Sequence, residues 1–416
     1  MLPTTLRAAK IVAAASAGLA SLALAGPAFA APAAARADAS HHAIARAAAK
    51  PSYHVRQILN GMTLRHTFVP VGSSKPKSEP LADPDDITVL GHHLFTAFQN
   101  GVGPQGEASS DGNTDSTVVE FTASGKVIRK WSIKGKCDGL TADAGRGFVI
   151  ATVNEDANSS IYTITPGASA GRRVRHYNYS KPLPHFGGTD AISIYRGRVF
   201  ISASAPGTTG AAAPQPSYPA VYSVVFHRIA HVAAVTPLYS DEADARVANL
   251  GADHGKTVQL ALTDPDSNEV VPGFARRFAG DFMVTSQGDQ EQIFAHFRGR
   301  GANAHNIRLS VLRLSQAVDD TAWARARSGR IFGADGTADT VDVVTGHFRP
   351  GSIFVAVTPC DAADAPATCP GPGFPANYLG SLNPWTGNIT RVAMTGPSFE
   401  PKGLVFVGRD WRVTPG

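Results

Sequence analysis

Aspartate recurs in four copies of one short pattern: an Asp, any residue, a branched apolar residue, then Thr or Ser. They read Asp85-Asp86-Ile87-Thr88, Asp138-Gly139-Leu140-Thr141, Asp190-Ala191-Ile192-Ser193 and Asp342-Val343-Val344-Thr345, and the first three begin 53 and 52 residues apart. A degenerate copy carries Asn268 in Asn268-Glu269-Val270-Val271. If these are equivalent positions of a repeat, Asp85, Asp138, Asp190, Asp342 and Asn268 converge on one axis. Several carboxylates and an amide held together make a hard, oxygen-rich site, suited to Ca²⁺ or Mg²⁺ rather than Zn²⁺. Like charges held that close repel unless protons or a cation neutralise them. The alternative is purely structural, because an Asp before a strand also caps a turn by accepting a backbone N–H two residues on. The two readings are compatible.

Further polar residues sit where strands enter or leave the same region. His185 precedes Phe186-Gly187-Gly188-Thr189-Asp190, Asn154 follows the strand Phe148–Val153, and Asn100 follows the equivalent Leu94–Phe98. These are candidate ligand contacts, or ordinary turn residues. There is no His-Glu-x-x-His zinc helix, no Gly-x-Ser-x-Gly elbow, no P-loop and no Cys-x-x-Cys-His haem site.

The elements that must position these residues are short strands. Each Asp pattern is followed, after a Gly-containing turn, by a second apolar run such as Leu94-Phe95-Thr96-Ala97-Phe98, Phe148-Val149-Ile150-Ala151-Thr152 or Ile353-Phe354-Val355-Ala356-Val357. Repeats of about 50 residues built from strands imply small sheets stacked radially, an all-β propeller. Innermost strands are expected near residues 85, 138, 190, 268, 342 and 402, which gives six blades, with seven as the alternative. The chain ends soon after the sixth. An alternating stretch at 53–69 with Asn60-Gly61 at its centre reads as a hairpin. It is expected to supply the missing strands and close the ring.

Residues 1–30 read as a signal peptide: Arg7 and Lys10, an apolar run from Ile11 to Ala25, then Ala28-Phe29-Ala30. Residues 31–52 read as an Ala-rich arm expected to be flexible, and 53–416 as one propeller domain. The expected location is secreted or extracytoplasmic, with no transmembrane anchor. Cys360 and Cys369 could then close one loop, leaving Cys137 as a small buried thiol. Without residues 1–30, 36 Lys and Arg face 33 Asp and Glu, with no basic block. Nucleic acid is therefore not an expected partner.

The spacing, the leader and strand phrases such as Asp138-Gly139-Leu140-Thr141 resemble the NHL-like and gluconolactonase-like (senescence marker protein 30 type) six-bladed propellers over roughly residues 53–410. That resemblance implies one divalent metal in the channel, held by a Glu of the first blade and Asn and Asp of later ones. Here the first-blade position is Asp85 or Asp86. Two functions follow as expectations: a monomeric exported propeller binding a small molecule or extracytoplasmic protein at its channel mouth, with a structural divalent cation, or a metal-dependent lactonase-type hydrolase or lyase.

Overall fold

Along Leu94-Phe95-Thr96-Ala97-Phe98 every side chain is buried. A strand achieves this only when both of its faces are covered. Leu94 and Phe98 pack with Phe332, Val341 and Val343 on one side, while Phe95 and Ala97 pack with Leu140, Val149 and Ala151 on the other. One strand thus feeds two cores, as it must when it belongs to a sheet wedged between two other sheets.

The structure is a computed structural model that describes residues 53–183, 188–204, 217–299, 307–369, 371, 373 and 375–411. All of these fall within the unit Lys50–Gly416. The signal-peptide and arm readings, and His185, lie outside the described residues. The described chain is almost entirely strand. Its helices are two 3₁₀ turns, Gly61–Thr63 and Ala170–Arg172. No helix among the described residues is long and apolar enough to cross a membrane.

The innermost strands among the described residues are Pro84–Leu90, Cys137–Asp143, Ile192–Tyr195, Pro265–Val270, Val318–Trp323 and Leu404–Gly408. Each pairs antiparallel with the next strand of its sheet, and each neighbours the next innermost strand, with the last returning to the first. The first sheet runs Pro84–Leu90, His93–Phe98, Asp115–Phe121, Val127–Lys134. The second and third are joined at their outer strands by a short parallel pairing, Asn178 with Val232 and Tyr179 with Ala233. The fourth carries an extra outer hairpin, Asp244–Val247 with Thr257–Gln259. Six apolar cores are described, one in each seam between neighbouring sheets; the last joins Phe354 and Leu379 to Ile331 and Phe406. Burying one Phe or Leu contributes about 1.5–3 kcal/mol, so the seams hold the ring together. The fold is a β-propeller.

Two expectations are corrected in the last third. Val318–Trp323 pairs with Ile353–Val357, but the two strands between them belong to the sixth sheet. Gly329–Asp335 pairs with Leu404–Gly408, and Thr340–Gly346 pairs with Tyr53–Asn60. The chain thus leaves the fifth blade after one strand, lays down the middle of the sixth, returns, and ends on the sixth innermost strand. Asp342 therefore lies on a middle strand, away from the axis, where it accepts a hydrogen bond from Thr340 Oγ1 at 2.5 Å. The N-terminal segment does close the ring, but as the single strand Tyr53–Asn60. Asn60 Oδ1 accepts from the Met62 N–H at 2.9 Å to start a 3₁₀ turn, and Arg65–Phe68 pairs instead with Lys77–Pro80.

Candidate functional site

One residue at or just before the start of each innermost strand lies at the mouth of the central channel: Asp85, Asp138, Asp190, Asp266, Asp319 and Lys402. Neighbouring strands are keyed at this level. The Gly403 N–H donates to Asp85 O at 2.8 Å and the Ala191 N–H to Asp266 O at 3.2 Å. Five carboxyls and one ammonium thus form a layer, with one contributed by each blade.

The next position inward is built for locking blades. Asp86 accepts from its own strand at the Ile87 N–H and from the following blade at the Leu140 N–H, both at 2.6 Å. Asp320 repeats this with Thr321 and Leu404, again at 2.6 Å each. Two glycines, Gly139 and Gly403, let neighbouring innermost strands approach closely at this level. A Cβ on Gly403 would stand 2.5 Å from Asp85 O and 2.7 Å from Asp86 Cα, and one on Gly139 would stand 2.5 Å from Thr152 Oγ1.

The channel encloses about 870 Å³, lined by twelve carboxyl-bearing residues and three cationic ones, Lys136, Arg325 and Lys402. Lys402 Nζ sits 3.3 Å from Asp85, and Lys136 Nζ sits 3.0 Å from Asp138 while also pairing with Glu155. Gln99 Nε2 adds a hydrogen bond to Asp138 Oδ1 at 2.9 Å. Burial in this crowd drives the carboxyls upward. Asp319 is pushed up to about 8, Asp320 to about 7 and Asp264 to about 6, with desolvation the largest cause in each. Asp86, Asp138, Asp190, Asp266 and Glu269 rise well above the ordinary range, again from burial and then from neighbouring carboxylates. Lys402 is held firmly protonated, chiefly by Asp85. Asp190 and Asp266 are near neighbours across the seam, and burial is the largest cause raising both carboxyls.

Several buried oxygens of channel-lining residues have no hydrogen-bond partner: Asp138 Oδ2, Asp266 Oδ2, Ser267 Oγ and Asn268 Oδ1. Their chemistry matches a hard cation. Among the described residues, however, no three His, Cys, Asp or Glu side chains converge on one point to hold a metal ion.

Asp85, Asp138, Asp190 and Asn268 thus all line the channel, as the repeat implied, although Asp266 rather than Asn268 takes the layer position. Asn100 and Asn154 serve turns, both with left-handed backbone. Asn100 accepts from the Ala82 N–H and donates to Thr117 Oγ1, while Asn154 accepts from the Lys136 N–H. Sequence reading missed Asp266, Asp319, Asp320 and Lys402. The signal was present: Asp319-Asp320 duplicates Asp85-Asp86, and Lys402-Gly403-Leu404 duplicates Asp138-Gly139-Leu140 with the charge reversed.

No family model matches the chain, and no curated protein does. Solved structures similar to it include a periplasmic gluconolactonase of Pseudomonas aeruginosa, at 11% identity over 86% of this chain and 99% of that chain, TM-score 0.42. A nidogen/laminin complex is similar at 8% identity over 85% and 98%, TM-score 0.44. Hydrazine synthase of Kuenenia stuttgartiensis is similar at 12% identity over 73% of this chain and 66% of that one, TM-score 0.36. Likenesses of this size carry no argument about chemistry. The propeller assignment rests on the strand pairing and the seams.

Proposed function

We propose that this chain is an exported β-propeller that binds a cationic ligand, a divalent cation or an organic ammonium, at the acidic mouth of its central channel. The observation that carries this reading is the imbalance of twelve carboxyl-bearing residues against three cationic ones around one cavity. Carboxylates so crowded cannot all ionise without added positive charge. Protons supply that charge in the free protein, and an entering cation displaces them. Export is supported by the leader-like residues 1–30 and by the bond between Cys360 and Cys369, which oxidising compartments favour.

Calorimetric titration of residues 31–416 with Ca²⁺, with Mg²⁺ and with putrescine tests this, run at pH 6 and pH 8 in two buffers of different ionisation enthalpy. Binding should tighten at pH 8, by about tenfold per pH unit for each proton released, and should weaken in Asp138→Asn. The cation that binds identifies the ligand class. Absence of binding by all three at both pH values refutes the reading.

A lactonase-type hydrolase is the second reading, and the neighbouring Asp190 and Asp266, two carboxyls both raised by burial, are the observation that favours it. One proton between two carboxyls provides an acid beside a base. Turnover of glucono-δ-lactone that disappears in Asp190→Asn, with the melting midpoint kept, would decide for it.

A further inference from the structure

The seam between the fourth and fifth blades opens into a separate cleft of about 190 Å³. It is lined by three arginines, Arg276, Arg277 and Arg349, and by no acidic residue. This inverts the charge of the channel. Arg277 lies between two aromatic faces, its guanidinium 4.6 Å from the Phe278 ring centroid and 4.8 Å from that of Trp385. Phe278 stacks in turn on Phe294, centroids 3.7 Å apart and planes within 11°. Arg277 is fixed further by donating to Pro384 O at 2.6 Å and to Ala248 O. Partial burial lowers its pKa, the direction desolvation drives a cation. Phe278 is also held at φ +58°, a conformation rare for a bulky aromatic and one that needs its surroundings to enforce it.

A second observation is independent of the arginines. Trp323 ends the fifth innermost strand and is 5% exposed, and its indole N–H is buried with no hydrogen-bond partner. Trp323 forms a wall shared by this cleft and the channel. A buried donor without an acceptor is costly, and such groups call for an explanation. Trp385, across the cleft, is 42% exposed and offers a flat apolar face. Cations without acids, an unused N–H donor and open aromatic faces ask for one kind of guest.

We propose that this cleft binds a small anion carried on a flat apolar body, an aromatic carboxylate or phosphate. The anionic group meets Arg276 and Arg349, and the ring lies against Trp385. Apart from the shared Trp323, the linings of this cleft and of the channel are separate.

Titrating the mature chain with benzoate and with phenyl phosphate, by calorimetry and tryptophan fluorescence, tests it. Both anions should bind saturably, and whichever is tighter names the head group. Uncharged benzamide should bind at least about tenfold more weakly, the loss expected when charge-assisted hydrogen bonds go. Arg276→Ala/Arg349→Ala, two exposed positions whose replacement should spare the melting midpoint, should lose a similar factor. Asp138→Asn should leave anion binding unchanged. Benzamide binding as tightly as benzoate, an unaffected double variant, or no saturation by either anion would each overturn the proposal. Inorganic phosphate matching phenyl phosphate would remove the aromatic half of it.

Discussion

At the scale of single residues, the channel separates two uses of aspartate that look alike in sequence. Asp85 and Asp138 meet lysines, whereas Asp86 and Asp320 each accept two backbone N–H groups and tie one blade to the next. Replacing Asp86 or Asp320 by Ala leaves two buried N–H groups without acceptors. It also relieves a carboxyl that burial strains. Orphaned donors cost about 1–3 kcal/mol each, and this loss should win. Chemical denaturation is expected to show Asp86→Ala and Asp320→Ala each destabilised by about 2–4 kcal/mol, with Asp86→Asn less affected because one oxygen remains. Equal stability of wild type and Asp86→Ala would mean the inter-blade bond contributes nothing. Gly403→Ala belongs to the same test, since its Cβ would meet backbone rather than a yielding side chain. Overpacking of that kind costs about 1–3 kcal/mol.

At the scale of strands and sheets, the first three blades were legible because their order in the chain is their order in space. Asp85, Asp138 and Asp190 recur at nearly equal spacing, and each is followed by a strand buried on both faces, so period and composition agreed. The fifth and sixth blades broke the rule that sequential strands pair. The pattern Asp342-Val343-Val344-Thr345 has the right residues, yet Val341 and Val343 face one core and Val344 another in the middle of a sheet. Nothing local in residues 318–346 announces that the chain crosses to the next blade between two strands of one hairpin-like run. Asn100 and Asn154 were hard for a related reason, because left-handed turn residues and ligand contacts use the same amide chemistry. The interleaved topology makes its own prediction. Asp342→Ala should destabilise the fold, by about 1–3 kcal/mol for a buried polar group that loses its partner, and leave cation binding at the channel unchanged. Asp138→Ala should weaken that binding. Calorimetry on the two variants separates them, and equal loss of binding in both would put Asp342 back on the axis.

At the scale of the whole molecule, closure and charge act on the same ring. Tyr53–Asn60 covers the edge of Thr340–Gly346, and its Val55 and Leu59 enter two different seams. Starting the chain after Asn60 should therefore lower stability for every blade, and a truncated protein that melts like the full one would refute closure. The closed ring, in turn, holds the acids together. Asp319, Asp320 and Asp264 keep their protons up to about pH 8, 7 and 6 when folded, but release them near pH 4 when unfolded. Between those limits the folded state binds more protons than the unfolded state, so stability must fall as pH rises. The slope is about 1.4 kcal/mol per pH unit for each retained proton. This is opposite in sign to ordinary acid denaturation, where depressed carboxylates lose their contribution as pH falls. Lys136 and Lys402, raised above the usual lysine value, lose their contribution only above about pH 10 and do not enter this window. Midpoints measured from pH 5 to pH 8.5 should accordingly decline toward the alkaline side. A cation that binds the channel should flatten the decline, because it replaces the protons that are leaving. A midpoint that stays level over this range would show that the channel carboxyls are ionised throughout, with Lys136 and Lys402 alone sufficient to balance them.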